Sequence, residues 1–409
     1  MKILFKLHNE WTIAIEALSW IELSRINEGE AISKTTRQLK INDPSATMEA
    51  TRLVHETLKR KNLLDYLINK SLDQIHIRDF NIGVQSFLRL YTYLRKIEKI
   101  DEATAYGFTA HGQEILGKRT IDPINEALEL IPYTDVDHSS LNRTQKLALT
   151  NYLPEWYVQY CLKNFGEDRA IGLLGALEYP KYLRVNSLKA DQEIIDNLSK
   201  QGSVLMKDPK IDDLYQIKVD NSLIQTEEYR RGHFVIQDLS SVLAVQAAAP
   251  RPRQTVLDVC AAPGLKTSYL AQLMANVGKI NSIDYSESRM KTWGNITRKL
   301  GVEIAEPLTC DATKTSCYPD VEADLIFIDP PCTGTGLFIR HPSSKWRVSR
   351  RSIRRMADIQ NRILETSSQF LKSGGTLVYG TCSVTLEENE RLIMDFLDQN
   401  PEYETTPMT

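Results

Sequence analysis

Several features are missing from this 409-residue chain, and each absence removes a class of function. Its six cysteines (Cys161, Cys260, Cys310, Cys317, Cys332, Cys382) form no CxxC pair and no His/Cys spacing of the zinc-binding kind, so no metal site is expected. A chain this long buries enough surface to do without disulfides, and all six are expected as reduced thiols. An excess of one charge is also missing: 50 Lys and Arg against 53 Asp and Glu leave a net −3. Contact with nucleic acid must therefore come from local patches. Long apolar runs are absent as well. The N-terminal MKILFKLH has three apolar residues between its two lysines, far short of a leader core or membrane span, which points to a cytoplasmic protein with no membrane partner. Neither GxGxxG nor GxxxxGK[ST] occurs, so the usual loops for dinucleotides and nucleoside triphosphates are excluded. There is no internal repeat or low-complexity segment, and oligomeric state is not legible.

What remains is 42% apolar and 25% charged, enough for two or three domains with a sizeable core. Up to about residue 130, apolar residues recur three and four apart, as in Trp11 to Leu23, Ala46 to Asn69 and Ile82 to Ile97, which predicts an all-helical domain over 1–135. The polar IPYTDVDHSS (131–140) suits a linker. Thr144 to Gly166 reads as helical again, with Pro154 at a helix start. Short strand-like runs (YLRVNS, LYQIKV, HFVIQD) then surround a helix near Asp191 to Gln201, which makes 140–240 a small α+β subdomain. From Gln254 onward, short apolar strands alternate with helices. That pattern predicts an α/β domain over 241–409, with a Rossmann-like parallel sheet covered on both faces and ligands at the carboxyl ends of its strands.

The first of these strands ends in DVCAAPGLKT. The small residues Cys260, Ala261, Ala262, Pro263, Gly264 and Leu265, with Lys266, make a tight turn that lets a ligand approach the backbone and a helix N-terminus. The second strand ends in Asp284, placed to accept from both hydroxyls of a ribose. The third ends at Asp311, within reach of an adenine edge. An adenosine ligand without a pyrophosphate but with a carboxylate fits this set, and S-adenosyl-L-methionine is that ligand. A single acid at a strand end is as often a helix cap, but three acids at three successive strand ends are harder to explain that way.

The fourth strand delivers Asp329-Pro330-Pro331-Cys332, in which two prolines stiffen the chain over the sheet edge. Methyltransferases acting on exocyclic amines place a stacking aromatic after Pro-Pro; a thiol cannot stack, which argues for attack by sulfur. The fifth strand delivers Thr381-Cys382-Ser383 at the same edge, so adjacent strands in register bring Cys332 and Cys382 together. Methylation at carbon 5 of a pyrimidine needs a thiolate, since addition at carbon 6 makes carbon 5 nucleophilic. Asp329, also expected among the cofactor-binding residues, is placed to hydrogen-bond the base at N3 and N4. Spacing does not rank the two thiols, and the cysteine after a proline in DNA cytosine-5 enzymes would favour Cys332.

The DVCAAPGLKT loop, DPPCTGTG and GTCS with Glu388-Asn389-Glu390, together with YLRVNSL (182–188) and FVIQDLSS (234–241), resemble the Sun/Fmu-type RNA cytosine-5 methyltransferases. That group includes ribosomal RNA small subunit methyltransferase B and the NOL/NOP/SUN proteins. The resemblance spans roughly 145–400 and implies that Cys382 is the nucleophile while Cys332 assists release of the methylated RNA. The helical N-terminus is similar to the NusB-type RNA-binding domain of the methyltransferase B branch, which favours ribosomal RNA as partner over transfer RNA. A non-catalytic RNA-binding or ribosome-assembly protein on the same fold is the alternative from another class.

RHPSSKWRVSRRSIRR (340–355), with seven Lys/Arg and no acid, is expected to form a phosphate-binding surface in which Trp346 stacks or packs. Three departures from the family stand out. Leu265 occupies a usual glycine position, which predicts a weaker or altered hold on the methionine end. Ser343-Ser344 replace Asp-Ile before Lys-Trp, which predicts altered local packing. The chain also stops before two strands that normally complete the sheet, which predicts an open edge.

Overall fold

The computed structural model describes residues 8–72, 74–175, 180–220 and 222–407; the stretch 1–7, inspected above for a leader, lies outside them. The chain divides into two compact units, one of Met1–Glu178 with Leu337–Val348, the other of Tyr179–Gly336 with Ser349–Thr409.

In the first unit the described secondary structure is helical. Asn27, Asp43, Asn81 and Asp101 each cap a helix by accepting from the backbone N–H three residues on, which satisfies donors that the first turn leaves unpaired. Ile13, Leu53, Leu64, Phe87 and Phe108 lie on inward faces, at most 1% exposed. The helices Arg143–Thr150, Glu155–Phe165 and Glu167–Leu174, grouped by sequence pattern with the α+β segment, belong to this unit. Pro154 is the N-cap residue of Glu155–Phe165.

The second unit holds two sheets. β1 (Tyr182–Val185), β2 (Val204–Lys207), β3 (Leu214–Val219) and β4 (Phe234–Ile236) form an antiparallel sheet in the order β2-β3-β1-β4. β5 (Thr255–Val259), β6 (Lys279–Asp284), β7 (Ala305–Thr309), β8 (Ala323–Ile328) and β9 (Leu371–Tyr379) form a parallel sheet in the order β7-β6-β5-β8-β9. β5 and β8 are nearly continuous apolar runs, as a strand covered on both faces must be. After β7 the chain returns to pair β8 with β5, so the switch point lies between those two strands, where open α/β sheets bind ligands. Val259 lies opposite both Ile283 and Ile328, and Ile328 lies opposite Tyr379. Four strands thus discharge their loops at one edge, as the α/β reading expected. Among the described residues β9 is an edge strand of this sheet.

One expectation fails here. Cys310 and Cys317 are joined as a disulfide rather than standing as thiols. The 3-10 turn Thr315–Cys317 brings the two Cα atoms to 5.6 Å, inside the range a disulfide spans. The other four cysteines are free.

The two sheets are locked together through Arg184 on β1, which is 1% exposed. Its guanidinium donates to Gln237 Oε1 (2.9 Å), Ser268 Oγ (3.0 Å) and Gln272 Oε1, and it lies 4.3 Å from the Tyr269 ring centre. Gln272 in turn donates to Asp213 Oδ2 (2.5 Å) and Val185 O (3.1 Å). Burial presses the Arg184 pKa down to about 10. Truncating a group buried this deeply leaves its acceptors unpaired, so Arg184→Ala is expected to cost about 3 kcal/mol. The cost is measurable as a lowered urea midpoint with an unchanged m-value.

Candidate active site

At the end of β5 the chain reverses through Cys260 (φ 66°) and Gly264 (φ 106°). A Cβ at Gly264 would sit 3.0 Å from Trp293 Cδ1, so both the left-handed backbone and the close approach call for glycine there. The helix Leu265–Leu273 that follows has Gly264 as N-cap and no side-chain cap, which leaves its first N–H groups as anion donors. Ala261 N–H donates to Ile283 O (2.9 Å) and Ala262 N–H to Asp284 Oδ2 (3.3 Å), binding the turn to β6. Cys260 is tucked into this turn, and burial beside Asp284 and Asp329 drives its thiol pKa well above the ordinary range.

Asp284 is 1% exposed; it also accepts from Ser286 N–H (3.0 Å) and pairs with Arg289 Nη1 (3.0 Å). Asp311 stands half-exposed past β7, its carboxylate held below the usual range by Thr313, whose hydroxyl and N–H donate to Oδ1. Asp258 is buried. Its Oδ2 accepts from Thr267 Oγ1 (2.5 Å), whereas its Oδ1 has no hydrogen-bond partner among the described residues. Burial pushes its pKa up to about 7. An orphaned buried acceptor, an uncapped helix N-terminus and a buried carboxylate at the next strand end match the cationic, anionic and diol groups of S-adenosylmethionine. The donor set fits that ligand.

Asp329, a third exposed, pairs through Oδ2 with Lys266 Nζ at 2.5 Å, so the small-residue loop and the Pro-Pro loop meet in one ion pair. Past it, Cys332 Sγ and Cys382 Sγ are 2.8 Å apart, as strand register implied. Cys382 is exposed and Cys332 partly buried. The contact splits their titration. The hydrogen bond from Cys332 lowers the Cys382 pKa, with Lys266 helping and burial and Asp329 opposing. The same contact, with burial, raises that of Cys332. Cys382 is therefore the first of the two to lose its proton.

The basic run divides in two. Lys345 is 3% exposed, donates from Nζ to Lys59 O (2.7 Å) and Tyr152 O (2.6 Å), and is pressed down to about pKa 7 by burial, with Lys59 and Arg60 adding to the shift. Trp346 Nε1 donates to Leu58 O (2.7 Å), and Arg347 to the carbonyls of Arg25 and Ile26. These three side chains tie Leu337–Val348 into the helical unit: Trp346 packs, one of the two options expected for it, while Lys345 and Arg347 are corrected from the phosphate surface because backbone carbonyls take their donors. Ser343 N–H donates to Glu28 Oε1 (2.7 Å), and Arg347 Nη2 to Ser343 Oγ (2.6 Å). Arg350, Arg351, Arg354 and Arg355 stay exposed on the helix Arg350–Ser368.

Sequence reasoning passed over Arg289, Gln360 and any role for Glu388. An acid within six residues of TCS, in a stretch rich in hydroxyls, was the available signal for the last.

Residues 245–409 match the family model described as 16S rRNA methyltransferase RsmB/F. The chain is 30% identical over 403 residues to the "Probable ribosomal RNA small subunit methyltransferase B" of Bacillus subtilis (strain 168), covering 96% of this chain and 89% of that protein. It is 34% identical over 265 residues to the 28S rRNA (cytosine-C(5))-methyltransferase of Mus musculus, covering 62% of this chain and 33% of that one. The crystal structure of PH0851 is similar over 98% of this chain and 92% of its own, with a TM-score of 0.83 at 25% identity.

The coupled thiols generate a pH signature. Cys332→Ala removes the hydrogen bond that favours the Cys382 thiolate, so the midpoint for iodoacetamide alkylation of Cys382 is expected to move to higher pH and the rate at neutral pH to fall. A pH–rate profile with peptide-level readout measures this; an unmoved or lowered midpoint contradicts it.

Proposed function

Because the chain belongs to the RsmB/F family of 16S rRNA methyltransferases, we propose that it forms 5-methylcytidine in ribosomal RNA through a covalent adduct on Cys382. The observation that carries this reading is the 2.8 Å contact between an exposed thiol of lowered pKa and a partly buried one of raised pKa.

The methyl donor is S-adenosylmethionine, held by the Cys260–Lys266 loop, Asp284 and Asp311, with Asp258 Oδ1 as acceptor; when bound, it supplies an electrophilic methyl group. The chain's own residues do the rest. The Cys382 thiolate adds to carbon 6 of an unpaired cytosine, and the electron pair moves toward N3 and O2. Asp329 accepts from the exocyclic amine while Lys266, paired with it, offsets the developing charge. Carbon 5, now enamine-like, bonds to the methyl group. Once the Cys382 sulfur is bonded to carbon, it no longer holds the proton of Cys332, and the main cause of the raised Cys332 pKa is gone. Cys332 then loses that proton to solvent and takes the one on carbon 5. Expulsion of Cys382 as thiolate restores the ring double bond and returns the pair to its starting state.

Contacts with RNA fall to each unit in its own way. Within the helical unit, residues 1–135 are read as the NusB-type RNA-binding domain. In the second unit, four exposed arginines occupy the first two turns of Arg350–Ser368, where the helix dipole disfavours cations; phosphate oxygens offset that cost. Among the described residues no helix is long and apolar enough to cross a membrane.

Two experiments test the reading. With S-adenosylmethionine and ribosomal RNA, Cys332→Ala is expected to accumulate a denaturation-resistant protein–RNA adduct and Cys382→Ala to form none; the reverse pattern exchanges the roles, and methylation confined to transfer RNA replaces the substrate. Neutralising Arg350, Arg351, Arg354 and Arg355 together should lower the slope of log affinity against log salt by about 3, leaving cofactor affinity unchanged.

A further inference from the structure

β8 and β9 stop pairing at Ile328 and Tyr379, yet the sulfurs that meet lie beyond both strand ends, in loops no ladder holds. What fixes them is a carboxylate. Glu388 ends the 3-10 turn Leu386–Glu388 and is 0% exposed. Its Oε1 accepts from Thr333 N–H (2.8 Å) and Gln360 Nε2 (3.1 Å). Its Oε2 accepts from the hydroxyls of Thr333 (2.5 Å), Ser383 (2.6 Å) and Thr385 (2.6 Å). Thr333 follows Cys332 and Ser383 follows Cys382, so one side chain grips the residue after each thiol.

The surrounding contacts close the same joint. Gln360 also donates to Pro331 O (2.8 Å), fixing the residue before Cys332. Thr335 Oγ1 accepts from Val384 N–H (2.9 Å) and lies 2.9 Å from Ser383 Oγ. Gly336 N–H donates to Cys382 O (3.0 Å), and a Cβ on Gly336 would come within 2.8 Å of that oxygen.

Glu388 is buried, and both its oxygens are spent on these five donors, so it is out of reach of the reacting atoms. A buried carboxylate is costly to desolvate, and a cost of that kind, met by donors from both cysteine loops, has its effect on their spacing. The geometry points to Glu388 as a positioning residue that sets the distance between Cys332 and Cys382, and through it the passage from adduct to product. This inference rests on the two-thiol reading above for its catalytic consequence but not for the spacing itself.

The test uses the full chain as wild type, Glu388→Ala and Glu388→Gln. The spacing is read with phenylarsine oxide, whose arsenic forms two As–S bonds with release of water only where two thiols are adjacent. Capture by Glu388→Ala is expected to weaken roughly 100-fold as the second bond is lost, and kcat to fall by about the same factor as the thiols misalign, with KM for S-adenosylmethionine unchanged. In Glu388→Gln the amide oxygen still accepts from Thr333 N–H and Gln360, and two of the three hydroxyls can turn to accept from the two N–H groups of the amide, so most of both losses should be recovered. Wild-type capture by a folded Glu388→Ala overturns the inference, as does a Gln variant no better than Ala. Should Glu388→Ala not fold, Thr333→Val, which deletes one of the five bonds, carries the test: weakened capture supports the clamp and undiminished capture overturns it. Capture needs neither RNA nor turnover, so a wild type that binds the arsenical but methylates nothing sinks the functional reading and leaves the clamp to be judged on capture alone.

Discussion

Two thiols at 2.8 Å cannot both ionise in a partly buried site, since like charges that close repel strongly. One sulfur therefore keeps a proton and lends it as a hydrogen bond, and the other is a thiolate at lower pH than a lone cysteine allows. The asymmetry follows from exposure: Cys382 faces outward, while Cys332 sits deeper behind two prolines. In the proposed mechanism this one contact sets both nucleophile and resting acid, and its loss when Cys382 bonds to a base is what changes the character of the second thiol.

Much of the remaining structure serves to hold that contact against an otherwise unpaired sheet edge. The switch point between β5 and β8 puts the small-residue loop beside the Pro-Pro loop, and Lys266–Asp329 joins them. The neighbouring strand β9 brings Cys382 alongside, and Glu388 ties the two cysteine loops after the ladder ends. Several of these groups are polar and buried, including Asp258, Glu388 and Arg184, and each lowers stability unless its partners are in place.

The sheet, its strand ends and the meeting of Cys332 with Cys382 were legible because they follow from period and register: apolar runs of strand length ended in DVC, ID, IDPPC and TC. The small-residue loop was legible because only glycine suits φ 106° hard against Trp293. Other features were not. Lys345 and Arg347 read as part of a phosphate-binding surface because local composition does not say that carbonyls of Lys59 and Arg25 will take their donors from 286 and 322 residues away. The Cys310–Cys317 bond was missed because expectation rested on chain size, whereas a single tight turn decides it. The grip of Glu388 depends on four side chains from two loops and a helix; the nearby hydroxyls of Ser383 and Thr385 were a local signal, but no spacing in the sequence encodes the reach to Thr333 and Gln360.

The central claim is that Cys382, not Cys332, bonds to the base. RNA carrying 5-fluorocytidine tests it in the unmodified protein, because fluorine at carbon 5 cannot leave as a proton does and the adduct persists after methyl transfer. Digestion and mass spectrometry of the trapped complex should find the nucleotide on the peptide containing Cys382, with Cys332 unmodified; a nucleotide on Cys332 would contradict the account.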